Sequence, residues 1–149
     1  MTAQDNFAVQ RGVSQRNEMD FDTLATQMTT QPAVGRLRLD QISEEGGIYT
    51  AWKMGDSHCL YAGKAGNLQN RIRSHYSGQR GGDQFCLYVY DQILHETRPQ
   101  GLTTQAVNNM TRDWIRSNVE FKFVVLPTAQ IDEAEILIRK HWKPTLNPL

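Results

Sequence analysis

A chain of 149 residues suits one domain with one sizeable core. No apolar run approaches the ~20 residues of a membrane span, so no membrane role is expected. The formal net charge is zero, so bulk charge does not mark the chain as a nucleic-acid binder. The start, MTAQDNFAVQR, lacks the basic and then apolar pattern of a secretory signal, and a cytoplasmic location is the expectation.

Charge is unevenly spread. Residues 1–45 carry seven acids and four bases; residues 46–149 carry nine acids and twelve bases. Between Tyr61 and Arg80 there are four bases and no acid. Such a strip suffices for phosphate contact of modest, salt-sensitive affinity.

Residues 1–17 are polar and aperiodic and read as disordered or loosely packed. Residues 18–30 place Phe21, Leu24 and Met28 at helical spacing, which predicts a short amphipathic helix ended by Gln31-Pro32. Arg36-Leu37-Arg38-Leu39 alternates and reads as a short strand or an extended lead-in. Gly47–Lys53 and His58–Gly63 are strand-like runs around Met54-Gly55-Asp56-Ser57, a hairpin signal. With Lys53 paired to Ser57, Tyr49 falls opposite Tyr61 on one face. These phenols form either a packing pair or part of a site. Gly47 and Gly63 suggest close approach of backbone or ligand.

Asn67 offers an N-cap for a helix running to about Tyr76. At about 100° per residue, Leu68, Ile72 and His75 share a stripe, with Arg71 on its flank and Arg73 turned away. Arg71 on the buried side or its rim is a candidate for phosphate contact; His75 is a satisfied core histidine or a site residue. Ser77–Gln84 is a Gly-rich connector, in which Arg80 is a further candidate for phosphate contact. Phe85–Tyr90 reads as a strand and Thr103–Ser117 as a helix, with Val107, Met110 and Trp114 on its core stripe. Glu120–Leu126 alternates as a strand until Pro127. A helix follows from about Gln130 to Trp142, stopped by Pro144. Glu135 lies within its apolar stripe of Ile131, Ala134, Ile138 and Trp142. That carboxylate is either paired with Arg71 or a cation ligand. Cys59 and Cys86 fall in strand-like runs without CxxC spacing and read as buried free thiols. The element order predicts a small mixed α/β or α+β domain.

Taken together, Gly47-Ile48-Tyr49, Tyr61-Ala62-Gly63-Lys64, Arg71, His75, Glu135 and Asn147 resemble the GIY-YIG nuclease superfamily. The likeness covers roughly residues 46–149, leaving 1–45 as an N-terminal extension and about 85–118 as an insertion. Ala62 stands where the family usually has isoleucine or valine, which reads as a packing change. His75 matches a position where some restriction and homing members have histidine and repair members have tyrosine.

The resemblance implies a central, mostly antiparallel sheet flanked by helices. It also implies a metal-dependent endonuclease hydrolysing phosphodiesters of DNA, with RNA left open. The implied catalytic residues are Tyr49, Tyr61, Arg71, His75 and Glu135, with Glu135 the ligand of one Mg²⁺ or Mn²⁺. The implied substrate contacts are Lys64 and Asn147, beside Arg80, although Asn147 also reads as a brace. A free phenol near pKa ~10 is too weakly ionised for base work, so Lys64, Arg71 and the ion are expected to lower Tyr49. One such site cuts one strand, so a double-strand break needs a homodimer or two nicks by a monomer. Restriction, repair, mobile-element and toxin roles all fit. The alternative is a non-catalytic nucleic-acid-binding or adaptor module on the same fold, marked by loss of Glu135, Arg71 or either tyrosine; none is lost.

Overall fold

The computed structural model describes residues 19–97 and 100–149. The expectation for residues 1–17 lies outside the described residues. Three strands form one antiparallel sheet: β1 (Gly47–Lys53), β2 (Cys59–Ala65) and β3 (Val119–Val125), in the order β2-β1-β3. Helices cover both faces. On one face lie α1 (Phe21–Thr30) and α5 (Thr128–Trp142). On the other lie α2 (Leu68–Tyr76), α3 (Gln84–Tyr88) and α4 (Thr104–Asn118). This is a small α+β domain with a hairpin first and helices around a central sheet.

Strand alternation divides the apolar residues between two cores. Tyr49, Ala51, Tyr61 and Phe121 face α2–α4 and pack with Leu68, Ile72, Phe85 and Ile115. Ile48, Ala62 and Val124 face the other way and pack with Leu24, Met28, Ile131 and Ile138. Ala62 therefore sits on the layer opposite Tyr61, as expected of a position that changes packing.

The hairpin forms, with a different register. A bulge between Ala51 and Trp52 shifts the pairing, so that Tyr49 opposes Gly63 and Tyr61 opposes Ala51. The offset is two residues, and parity with it: both phenols stay on one face, their ring centroids 6.3 Å apart. The two motif glycines have steric reasons. A Cβ on Gly63 would run into the Tyr49 phenol, and one on Gly47 into the Val124 carbonyl of β3.

Two local readings are corrected. Phe85–Tyr90 is helical, α3 continuing through a π-helical turn at Val89–Leu94. Asp83 caps it by accepting from Cys86 N at 2.9 Å. The buried residues Phe85, Cys86, Val89 and Tyr90 repeat at helical spacing, which a short apolar run conceals. Arg36–Gln41 is a 3₁₀ stretch and not a strand, with Leu37 84% exposed. In α4 the buried stripe is Val107, Thr111 and Ile115, with Trp114 partly buried beside it.

Both sheet edges are covered by chain from the ends. Val34 exchanges two backbone hydrogen bonds with Phe121 along β3. Beyond α5, which ends at left-handed Lys143, Thr145 N and Leu146 N donate to Cys59 O and Leu60 O along β2. Capping both edges removes two templates for aggregation.

Candidate active site

Asn67 caps α2 by accepting from Asn70 N, which fixes where the helix starts and hence the angular position of every residue on it. Leu68, Ile72 and Tyr76 are buried, and His75 shares their face. His75 is only 1% exposed. It lies among Tyr49, Phe85, Phe121 and Tyr61, with ring centroids 4.9 to 6.1 Å away. Both ring nitrogens are occupied. Nε2 is 2.6 Å from Tyr49 Oη, and Nδ1 is 2.8 Å from Asp83 Oδ2. Asp83, 3% exposed, also accepts from Ser74 Oγ at 2.8 Å and from Cys86 N. A chain of hydrogen bonds thus runs Tyr49–His75–Asp83. Sequence reading found the first two and missed the third. The available signal was an aspartate just before an apolar helical run, obscured by reading that run as a strand.

The protein's own groups do not lower Tyr49 in the way expected of Lys64 and Arg71. Burial raises the Tyr49 phenol well above its ordinary value; Tyr61 adds to this, and Arg71 opposes it too weakly. Burial, with the charges of Asp83 and Glu135, pushes Tyr61 up to about 12. Lys64 donates to Asp132 at 2.8 Å instead of facing a phenol. The buried imidazole is held below its usual range: burial outweighs the attraction of Asp83. Burial also pushes Asp83 up, but hydrogen bonds and charge from His75, with those from Cys86 N and Ser74, bring it down to about 2. At neutral pH the chain is therefore phenol, neutral imidazole and carboxylate.

Arg71 is exposed, at the rim and not inside, and makes no side-chain hydrogen bond or ion pair among the described residues. With Lys64, Gly66, Ile131 and Asp132 it lines a surface depression of about 380 Å³. Glu135 lies one turn further along α5, its side chain 15% exposed. Its ion partner is Arg139, at 3.7 Å, and not Arg71. Burial raises its carboxyl, while Lys64 and Arg139 pull it down. This partly shielded carboxylate, paired at one oxygen with Arg139 and near Asp132, fits a Mg²⁺-like cation, which keeps several waters and takes one or two protein oxygens.

His75, Asp83 and Cys86 also place ligand atoms within 4.8 Å of one another. Each is engaged within the protein, the Cys86 thiol donating to the His75 carbonyl. Burial pushes that thiol far up, away from the thiolate a metal needs. The cluster fits a hydrogen-bond network. Cys59 is likewise a buried free thiol.

Two expected substrate contacts are occupied elsewhere. Asn147 clasps the backbone of Ala62, accepting from its N at 3.1 Å and donating to its O at 2.6 Å. Arg80 donates to Asn108 at 3.2 Å and stacks over Tyr90 at 4.8 Å. Both contacts order the protein's own chain.

The motif residues thus meet on one sheet, with Gly63 against the buried Tyr49 phenol, Gly47 against β3 and Arg71 at the rim. The family model of the GIY-YIG catalytic domain matches residues 31–148, and the chain belongs to that family. Its members are generally endonucleases, which implies a nucleic-acid substrate. A search of curated proteins returned no match. The match begins at residue 31, so it takes in Val34 and Ile42, which are buried in the Tyr49 core.

Proposed function

We propose that the protein is a metal-dependent endonuclease that hydrolyses DNA phosphodiesters at the site around Tyr49. The observation that carries this reading is the 2.6 Å contact between Tyr49 Oη and His75 Nε2. It couples a phenol to a neutral base that is already in place. A phenol that stays protonated when free is a poor base alone, but it can relay a proton. Water loses its proton to Tyr49 Oη as Tyr49 passes its own to His75 Nε2. The water oxygen forms the new bond to phosphorus, the bond to the leaving sugar oxygen breaks, and solvent protonates that oxygen. This requires an attacking water within hydrogen-bond reach of Tyr49 Oη when nucleic acid is bound. Arg71, unpaired at the rim among the described residues, would bind the phosphate and neutralise charge developing on it. Lys64 would add to the basic rim, and Tyr61, stacked on Tyr49, would align it. Glu135 would hold Mg²⁺ or Mn²⁺, which supplies charge to polarise a phosphate oxygen and stabilise the leaving oxygen.

The test is plasmid nicking by wild type and Glu135→Ala with Mg²⁺, Mn²⁺ or EDTA. Metal-dependent cutting by wild type alone is expected. Equal cutting by both proteins would overturn the assignment of Glu135. Binding of DNA without cutting, across plain and branched substrates, would instead establish the non-catalytic module.

A further inference from the structure

The carboxylate of Asp83 is eight residues from His75 and has no surface role to explain it. It is buried and aimed at one imidazole nitrogen, with both oxygens within 2.9 Å of Nδ1. Its remaining partners, Ser74 Oγ and Cys86 N, are both donors. An ionised carboxylate only accepts, so the Nδ1 that faces it must carry the ring proton. In a neutral imidazole the other nitrogen is then bare and can only accept.

We propose that Asp83 is a positioning residue that locks His75 in the Nδ1–H tautomer, so that bare Nε2 takes the Tyr49 proton and Asp83 balances the resulting imidazolium. The proposal rests on the relay described above and adds the residue that gives it direction. In the opposite tautomer, Nε2–H would donate to Tyr49, and the phenol could not hand its proton on. Among the described residues, the rings packed around His75 are Tyr49, Tyr61, Phe85 and Phe121, and the one carboxylate bonded to it is Asp83. One residue therefore ties the fold to the chemistry. The same Asp83 that starts α3 sets the protonation pattern of His75, and the loop 77–83 is its support.

The experiment is long-range ¹H–¹⁵N correlation on labelled protein at neutral pH, which reads the two ring nitrogens directly. Wild type should show His75 with Nδ1 protonated and Nε2 bare. Asp83→Asn keeps an oxygen to cap Cys86 N but turns an amide donor toward the ring. It should switch His75 to the Nε2–H tautomer and slow nicking by about 100-fold, the scale of a lost acid–base step. A wild-type Nε2–H tautomer would overturn the proposal, and this readout stands even if the variant does not fold. An Asp83→Asn protein with the original tautomer, or with a switched tautomer and unchanged nicking, would overturn it too. The tautomer is read without any cutting. An inactive wild type showing the expected tautomer would therefore remove the nuclease reading and leave the positioning of His75 standing.

Discussion

Tyr49 Oη and His75 Nε2 are 26 residues apart in sequence and 2.6 Å apart in space. Strand β1 supplies one partner and helix α2 the other, and neither is in contact with bulk water to any extent. Tyr49→Phe removes the proton carrier and leaves Nε2 without a donor. Nicking should fall about 100-fold or more. Stability should drop by about 1–3 kcal/mol, the cost of one buried unsatisfied group. Single-turnover cleavage and urea unfolding measure the two effects; full activity in this variant would end the relay.

Glu135→Ala should separate catalysis from stability. Metal-stimulated cutting should be lost while the melting temperature holds or rises, because burial already disfavours this carboxylate. Only the ionised form binds a cation. Protons and the cation therefore compete for it, and Mn²⁺ affinity should weaken as pH falls, sooner than for an unshielded glutamate because burial raises this carboxyl. Mn²⁺ titration calorimetry on both proteins provides a readout independent of cutting.

Gly63→Ala places a methyl where the Tyr49 phenol lies. The ring must swing away from His75 or the strands must part. Overpacking of this kind costs about 1–3 kcal/mol. Activity should fall together with stability, in contrast to Tyr49→Phe, where the chemical loss dominates. Denaturant midpoints and nicking rates on the same samples decide it, and an unperturbed protein would mean the Tyr49 ring is placed otherwise.

Acid should weaken the fold through both buried partners. Asp83 is depressed to about 2, below its unfolded value, so its contribution is complete above the unfolded value and lost as pH falls through about 2. His75 is also depressed, so between its folded value and the ordinary ~6.5 the unfolded chain binds more protons. Both effects make stability rise with pH on the acid side. Urea midpoints from pH 7 to about pH 2 should fall, and fall less in His75→Gln.

Asn147→Ala tests whether Asn147 braces the chain or contacts substrate. Two hydrogen bonds to the Ala62 backbone would go, costing about 1–2 kcal/mol. Cutting by the folded fraction should be unchanged. A raised KM without loss of stability would return Asn147 to the substrate side.

Local signals were enough to predict several elements. Helical spacing of Phe21, Leu24 and Met28 gave α1, Asn67 gave the start of α2, and alternation gave β3. Parity put Tyr49 and Tyr61 on one face even though the bulge moved the register, because an offset of two leaves strand faces unchanged. Periodicity likewise put His75 on the buried stripe of α2 and Glu135 within that of α5, where it is partly buried. These are properties of a helix or strand alone, and the sequence holds them.

What only the tertiary structure decided is what each of those side chains meets. Arg71 reached the rim, Glu135 paired with Arg139, and Asn147 turned to Ala62. The 77–83 loop, read as a connector, brought Asp83 under His75. Burial of Tyr49 raised a phenol that its cationic neighbours were expected to lower. Sequence spacing fixes the direction of a side chain from its own element, whereas a partner's distance and the local dielectric depend on how elements pack. That packing turned a tyrosine and a histidine from separate motifs into one hydrogen-bonded chain.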